Sequence, residues 1–548
     1  MGSRLKNIFS AFTRSERAAF IAASLTAIGA GIALAAIAID RATVVVPAHG
    51  GSYIEGALGQ PTYVNPILAE RDADKNIVRL LFQNVTGLAE KIESDEAGRV
   101  YRVRLKENLH WSDGKKITTD DVIFTIQKIQ DPETRSPIFA SWQGVTANRL
   151  SELELQFNLV SPYPFFRENL ERLYPVPKHL FADTPPANWV LSDYNLKPVG
   201  SGPYKFHAYE KTANGFIESY TLEPNADYAG DKAYIQEFGF RFYTKAEDMI
   251  GAFNTGVIDG FADFNPETFK AITRAYEAHS FTVPGYYAVF LNQNQNIALK
   301  EVEVRRALSE LVNRTELLKT IFDERGKIAI GPIARPDQKF AEDPLFKSQE
   351  VGELLDKAGW ARDEKGLRKK TINNASIQLK FDLVVPQIPF LEKTSETLRE
   401  IWKSQGIEVT LVYLPAEDVT NRVIKNREYQ AVIFGNVLNP LEDLYPFWHS
   451  NERFYPGLNL SLYTNKKADE IMEAIRRELD PNRRNESLKT LEETITKDFP
   501  AVFLYAPNYL YITSRDLKGV KTEELLHEPA DRYRDISAWH LRTTRALR

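Results

Sequence analysis

The stretch HWSDGKKITTDDVIFTIQKIQDP, residues 110–132, sets a Trp, an Asp-Gly turn, a run of Thr and Asp and an apolar helical pattern in succession. Trp111 ends a strand whose apolar positions are Val103 and Leu105. Ser112-Asp113-Gly114-Lys115 has the chemistry of a turn, because Asp can accept from nearby backbone N–H groups and Gly tolerates positive φ. Thr118 followed three residues later by Asp121 predicts a capping box, with Asp replacing the usual Glu or Gln. Asp120 and Asp121 would also sit at the positive end of the helix dipole. Val122, Ile123, Ile126 and Ile129 form an apolar stripe, and Asp131-Pro132 stops the helix. Every conspicuous polar residue thus has a local structural role, so the stretch reads as scaffold and not as a reactive site.

Around it lies a chain of 548 residues, too long for one hydrophobic core. Lys and Arg number 69 against 74 Asp and Glu, a net charge of −5. That balance argues against a nucleic-acid-binding surface. Cysteine is absent, which excludes disulfides, Cys-ligated zinc and a thiol nucleophile. Residues 18–39, AAFIAASLTAIGAGIALAAIAI, carry no charge. As a helix they extend about 33 Å, enough to cross a bilayer core. Arg4, Lys6, Arg14 and Arg17 precede them, so the positive-inside bias places residues 1–17 in the cytoplasm and the bulk of the chain outside. A retained single-pass anchor is expected. The alternatives are a signal cleaved after AIA at 36–38 and a buried soluble helix.

The remainder mixes strands and helices. YRVRL (101–105), LELQFNL (153–159), IQLKFDLVVP (377–386), IEVTLVYLP (407–415) and YQAVIFGNVL (429–438) read as strands. A helix at 389–404 makes a β-α-β unit of the two strands flanking it. Residues 302–322 read as one helix, and AVFLYAPNYLYIT (501–513) as a strand pair turned at APN. Breaks fall near 85–95, at Gly200–Pro203, at Pro284–Gly285 and after Pro500. HExxH, GxSxG and the P-loop pattern are missing, and GSGPY (200–204) leads into a strand and so presents no helix N-terminus to an anion. No catalytic residue, metal site or cofactor is expected.

Seven segments in order carry a family resemblance. LHWSDGKKITTDDVIFTIQKIQDP resembles the W-S-D-G-K-x-[LI]-T-A-x-D-V-x-[FY]-[TS] fingerprint of the extracytoplasmic solute-binding proteins (family 5) of dipeptide and oligopeptide ABC transporters. PTYVNPILAERDADKNIVRLLFQNVTGLAE, YPVPKH, VGSGPYKF, VRRALSELVNRTELL, ELLDKAGW and ITKDFPAVFLY are similar to further segments of that family. The resemblance spans about residues 50–520. It implies an α/β, two-lobed periplasmic-binding-protein type II (venus-flytrap) fold with an extra small domain, here preceded by one N-terminal transmembrane helix. Lobe I would comprise 41–85, 198–283 and 500–548, the small domain 86–197, and lobe II 284–499. The implied function is that of a monomeric, non-enzymatic receptor. It would close on a peptide between its lobes and deliver it to the permease of an ABC importer.

One segment departs from the family. Peptide-binding members carry a Trp after the strand and then an Asp that pairs with the peptide's α-amine. Here the sequence is GNVLNPLEDLYPFWHS, 435–450, with Asn436 at the Trp and Asn439 at the Asp. Asn accepts a hydrogen bond but supplies no charge. Glu442 or Asp443 would then hold the amine, unless the pair simply begins a solvated helix. Otherwise the ligand lacks a free amine, as a nickel chelate or a modified sugar does. Tyr286, Tyr287, Phe290, Tyr63 and Asn65 are further cleft candidates, with core packing and an Asn65-Pro66 turn as the competing roles. A surface chaperone or hydrolase on the same scaffold is the third reading.

Overall fold

The structure, a computed structural model, describes residues 12–333, 342–438, 443–522 and 525–547. It is a mixed α/β molecule organised on two large sheets. The first has seven strands and takes them from residues 52–58, 204–281 and 509–514. The second has six, from residues 285–291, 326–328, 380–437 and 501–507. A separate four-stranded antiparallel sheet occupies 89–158.

The strand alternation fixes how the second sheet is buried. Val289, Leu291, Leu383, Val385, Ile433 and Leu504 point into one hydrophobic cluster. Tyr286, Ala288, Phe290, Val384, Val432 and Phe503 point into another. Helices cover both faces, as a sheet with parallel strands requires. The four-stranded sheet instead shares one continuous core with the first large sheet, in which Val103, Leu105, Leu155 and Phe157 join Tyr53, Phe238 and Tyr511.

The 110–132 stretch keeps its predicted turn and cap, but the strand expected to end at Trp111 stops at Leu105. Trp111 is fully buried. Helix Thr119–Ile129 begins with a reciprocal capping box between Thr118 and Asp121. Asp121 does more than cap: Oδ2 accepts from the Thr118 N–H at 2.9 Å, and Oδ1 accepts from the Lys178 N–H at 2.9 Å. Ile123, expected on the buried stripe, is half-exposed, and Phe124 takes its place in the core. The glycines of GSGPY serve close packing, since a Cβ at Gly200 or Gly202 would stand 2.0 or 2.5 Å from a carbonyl oxygen of Leu81 or Leu80.

Two expectations are corrected. Residues 302–322 form two helices, Val302–Glu310 and Arg314–Phe322, because the Asn313 side chain caps the second by accepting from the Glu316 N–H at 3.1 Å. The APN stretch is no hairpin turn. Ala501–Pro507 pairs with Gly285–Leu291 in the second sheet, while Tyr509–Ser514 pairs with Gly260–Asp263 and Tyr276–Phe281 in the first. The strand at 501–507, expected in lobe I, therefore belongs to the second sheet, and the chain crosses at Asn508.

Candidate functional site

Strand direction places a cleft. In the first sheet Ser52–Leu58, Glu237–Tyr243 and Gly260–Asp263 are parallel, so Leu58, Tyr243 and Asp263 end at one edge. In the second sheet Lys380–Pro386, Glu408–Leu414 and Ala431–Val437 are parallel and likewise share a carboxyl edge. Antiparallel pairing puts Phe281 and Tyr509 on the first edge and Gly285 and Pro507 on the second. The two crossing segments, residues 282–284 and Asn508, therefore join one carboxyl edge to the other. Open α/β sheets bind ligands in the crevice outside such edges.

The helix Asp72–Leu81 is set against the first edge by buried polar contacts. Asp74, nearly inaccessible, accepts from the Thr62 and Tyr63 N–H groups at 2.6 and 2.8 Å. Burial raises its pKa, and these two bonds act against that shift. Asn76 accepts from Arg532 at 3.0 Å, and Arg532 forms a fully buried ion pair with Glu55 on the adjoining strand. Tyr511 donates to the same Glu55 at 2.9 Å. Asp72, in the helix's first turn, is exposed and has no hydrogen-bond or ion-pair partner among the described residues.

Across these crossings, Tyr287 is half-buried. Its ring packs edge-on to Phe390 at 5.2 Å and lies over Gly435, where a Cβ would meet it at 2.8 Å. Burial, followed by the negative charge of Asp72, raises its pKa to about 12. Its hydroxyl has no partner among the described residues. Tyr63 is half-buried on the first core, in the loop pinned by Asp74.

The other predicted residues have different surroundings. Tyr286 and Phe290 are buried in the second sheet's core, where the Tyr286 hydroxyl accepts from Asn436 Nδ2 at 3.2 Å and Trp448 Nε1 at 3.3 Å. Asn65 is buried in its own turn: Oδ1 accepts from the Ile67 N–H at 3.1 Å and Nδ2 donates to Asn195 at 3.2 Å. Asn439 and Glu442 lie outside the described residues.

Asp443 is only 2% exposed, and its charge is already matched. Arg476 donates to both carboxylate oxygens at 2.8–3.0 Å. The guanidinium also lies 4.0 Å from the Tyr445 ring centroid. The Tyr163 hydroxyl adds a third donor to Asp443 at 2.9 Å. Its pKa is driven far above the ordinary phenol value by burial and by the facing carboxylate. Both oxygens of Asp443 are thus engaged within the protein, and Arg476 matches its charge. Tyr163 comes from the segment after the four-stranded sheet, and Phe165 beside it is buried in the second sheet's helical cluster. The trio therefore latches the small sheet's unit onto the second large one.

Sequence reasoning missed Asp72, Tyr163 and Arg476. Asp72 could have been found as an acid at a helix start beside the early cleft loop. Arg476 leaves no local signal, being 33 residues from its partner. A cavity of 460 Å³ also exists, lined by Arg79, Tyr174, Tyr228, Glu528 and Asp531. It lies among elements on the first sheet's side of the crossings, with Arg79 paired to Asp531 at 3.4 Å.

Comparison with known proteins agrees with this architecture. The oligopeptide-binding protein AppA of Bacillus subtilis is 25% identical over 516 residues, covering 90% of this chain and 92% of that protein. The solved structure of AppA from Bacillus subtilis in complex with a nonapeptide matches with a TM-score of 0.74 at 24% identity, over 91% of this chain and 100% of that one. NikZ from Campylobacter jejuni in complex with Ni(L-His) matches with a TM-score of 0.74 at 21% identity, over 89% and 99%. The family described as bacterial extracellular solute-binding proteins, family 5 (middle) matches residues 83–454, more than half of the sequence. The chain belongs to the bacterial extracellular solute-binding proteins of family 5.

Proposed function

We propose that the protein is the membrane-anchored, extracytoplasmic substrate-binding component of an ABC importer, and that it takes peptides between its two lobes and hands them to the permease. The two large sheets with their helices serve as the lobes, and the four-stranded unit as the small domain. Residues 282–284 and Asn508 act as the hinge strands of closure. Helix Arg14–Ala42, long and apolar enough to span a bilayer, keeps the receptor near its permease and raises its effective concentration there. No step of the function requires a bond to be made or broken.

The observation that carries the reading is the joining of the two sheets' carboxyl edges by the crossings, with the exposed, unpaired carboxylate of Asp72 in the helix set against the first edge and Tyr287 on the strand that begins at the second. With Asn439 uncharged and Asp443 neutralised by Arg476, Asp72 supplies the negative charge that a peptide ammonium needs. A nickel chelate or a modified sugar is the second reading, favoured by Asn439 in place of the amine-binding Asp and by the likeness to NikZ. A thermal-shift panel on the full chain in detergent separates them. Di- to pentapeptides are expected to raise the melting temperature. A shift with Ni(L-His) or sugars and none with any peptide would reject the first reading.

A further inference from the structure

The segment joining the apolar helix to the body is a built element. Helix Arg14–Ala42 passes directly into the strand Thr43–Ala48. That strand pairs antiparallel along its whole length with Arg542–Leu547, from Thr43 opposite Leu547 to Ala48 opposite Arg542. The two form a sheet of their own. Directly opposed residues share a face, so Thr43, Val45, Arg545 and Leu547 lie on one side. Val45 is 61% exposed and Leu547 83%. On the same face Arg545 donates to Asp40 and to Thr43 Oγ1, both at 3.0 Å, tying the ribbon to the helix end. None of Val44, Val45, Val46 and Leu547 belongs to a hydrophobic cluster of the described residues. A two-stranded ribbon without such packing is marginal in water.

The spanning helix fixes where this ribbon sits. Leu547 lies opposite Thr43, four residues past Ile39, where the uncharged stretch ends. At 1.5 Å per residue that is about 6 Å beyond the hydrocarbon core, within the interfacial layer. The opposite end of the ribbon stands about 17 Å farther out at strand rise. There Gly50 packs against Arg542 at the ribbon's own end, and Gly51 against Leu541, which packs on the first core.

We propose that the strand Arg542–Leu547 is a membrane-contact element. Leu547 and Arg41 lie in the interfacial layer at the foot of the ribbon, while Val45 and Arg545, two residues farther out, face the headgroups. The ribbon is then a short stiff post that fixes the orientation of the binding lobes above the bilayer. This inference rests on the helix being a retained anchor. The chain has no native cysteine, so a single introduced one reports cleanly. Leu547→Cys carries an environment-sensitive fluorophore, and Leu191→Cys, 78% exposed on the small unit, is the control. Each full-length chain is reconstituted into phosphatidylcholine–phosphatidylglycerol vesicles. The label at 547 is expected to shift to the blue and to be quenched by shallow doxyl lipids, and the label at 191 to do neither. If the chain stays with the vesicles through alkaline extraction while the 547 label remains unquenched, the contact is overturned and the anchor stands. If the chain does not stay with the vesicles, the anchor falls and this inference falls with it.

Discussion

Single side chains decide what the cleft can recognise. Asp72 is exposed and unpaired, so Asp72→Asn costs little in stability but removes the proposed partner of a ligand ammonium. Peptide affinity should fall about tenfold, near 1.4 kcal/mol, with an unchanged melting temperature of the free protein. Equal affinities in a calorimetric titration would remove Asp72 from the site. Arg476→Ala behaves in the opposite way. It strands a carboxylate that is almost wholly buried, and breaking such a pair costs about 3 kcal/mol. The double variant Asp443→Asn/Arg476→Gln leaves no uncompensated charge, so urea unfolding should show it recovering much of that loss. If Asp443 were the amine partner instead, the double variant would bind peptide as poorly as Asp443→Asn alone. The sequence drew attention to Asp443 because it sits near the expected position of the family's Asp. Its commitment to Arg476 and Tyr163 was illegible because both partners arrive by tertiary folding, from 33 and 280 residues away. Tyr286 and Tyr287 were equally opaque. Both faces of their strand are covered, so alternation separates one helical layer from the other and not core from cleft.

Elements whose signals are local were read well, and those defined by distant pairing were not. The helix Thr119–Ile129, the β-α-β unit across 380–414 and the helix Pro389–Ser404 follow from capping and periodicity within their own windows. By contrast, nothing within AVFLYAPNYLYIT distinguishes a hairpin from two strands of different sheets, because partner choice is made by strands more than 200 residues away. The Asp120-Asp121 pair offers a direct check on the local reading. Asp121→Ala removes the cap and the tie to Lys178 together, which should cost about 2 kcal/mol. Asp120→Ala loses an exposed contact to Arg149 at 3.4 Å and a charge in the helix's first turn, and should cost less than about 1 kcal/mol. Denaturant midpoints for the two variants measure the difference. Equal midpoints would contradict the scaffold role assigned to this stretch.

The assembled molecule adds properties that no segment has alone. His279 and His527 are both held below the ordinary imidazole pKa, chiefly by burial. The unfolded chain therefore binds protons that the folded one resists. Their contribution to stability is present above about pH 6.5 and is lost as pH falls through the folded values. Buried Asp74 and Asp121 and half-buried Glu528 shift upward and act in the opposite sense, from the lower carboxylate range. Between pH 7.5 and 6.0 the melting temperature should drop, and it should drop less in His279→Gln/His527→Gln. An unchanged drop in that variant would assign the pH dependence elsewhere. What the facing carboxyl edges hold decides the function. Isothermal titration of the full chain with a mixed tripeptide and with its N-acetylated form tests it most directly. Saturable binding of one free-amine peptide per chain is expected, with a negative heat-capacity change as the lobes bury apolar surface, and binding weaker by about tenfold on acetylation. Heat released by Ni(L-His) and none by any di- to pentapeptide would contradict it.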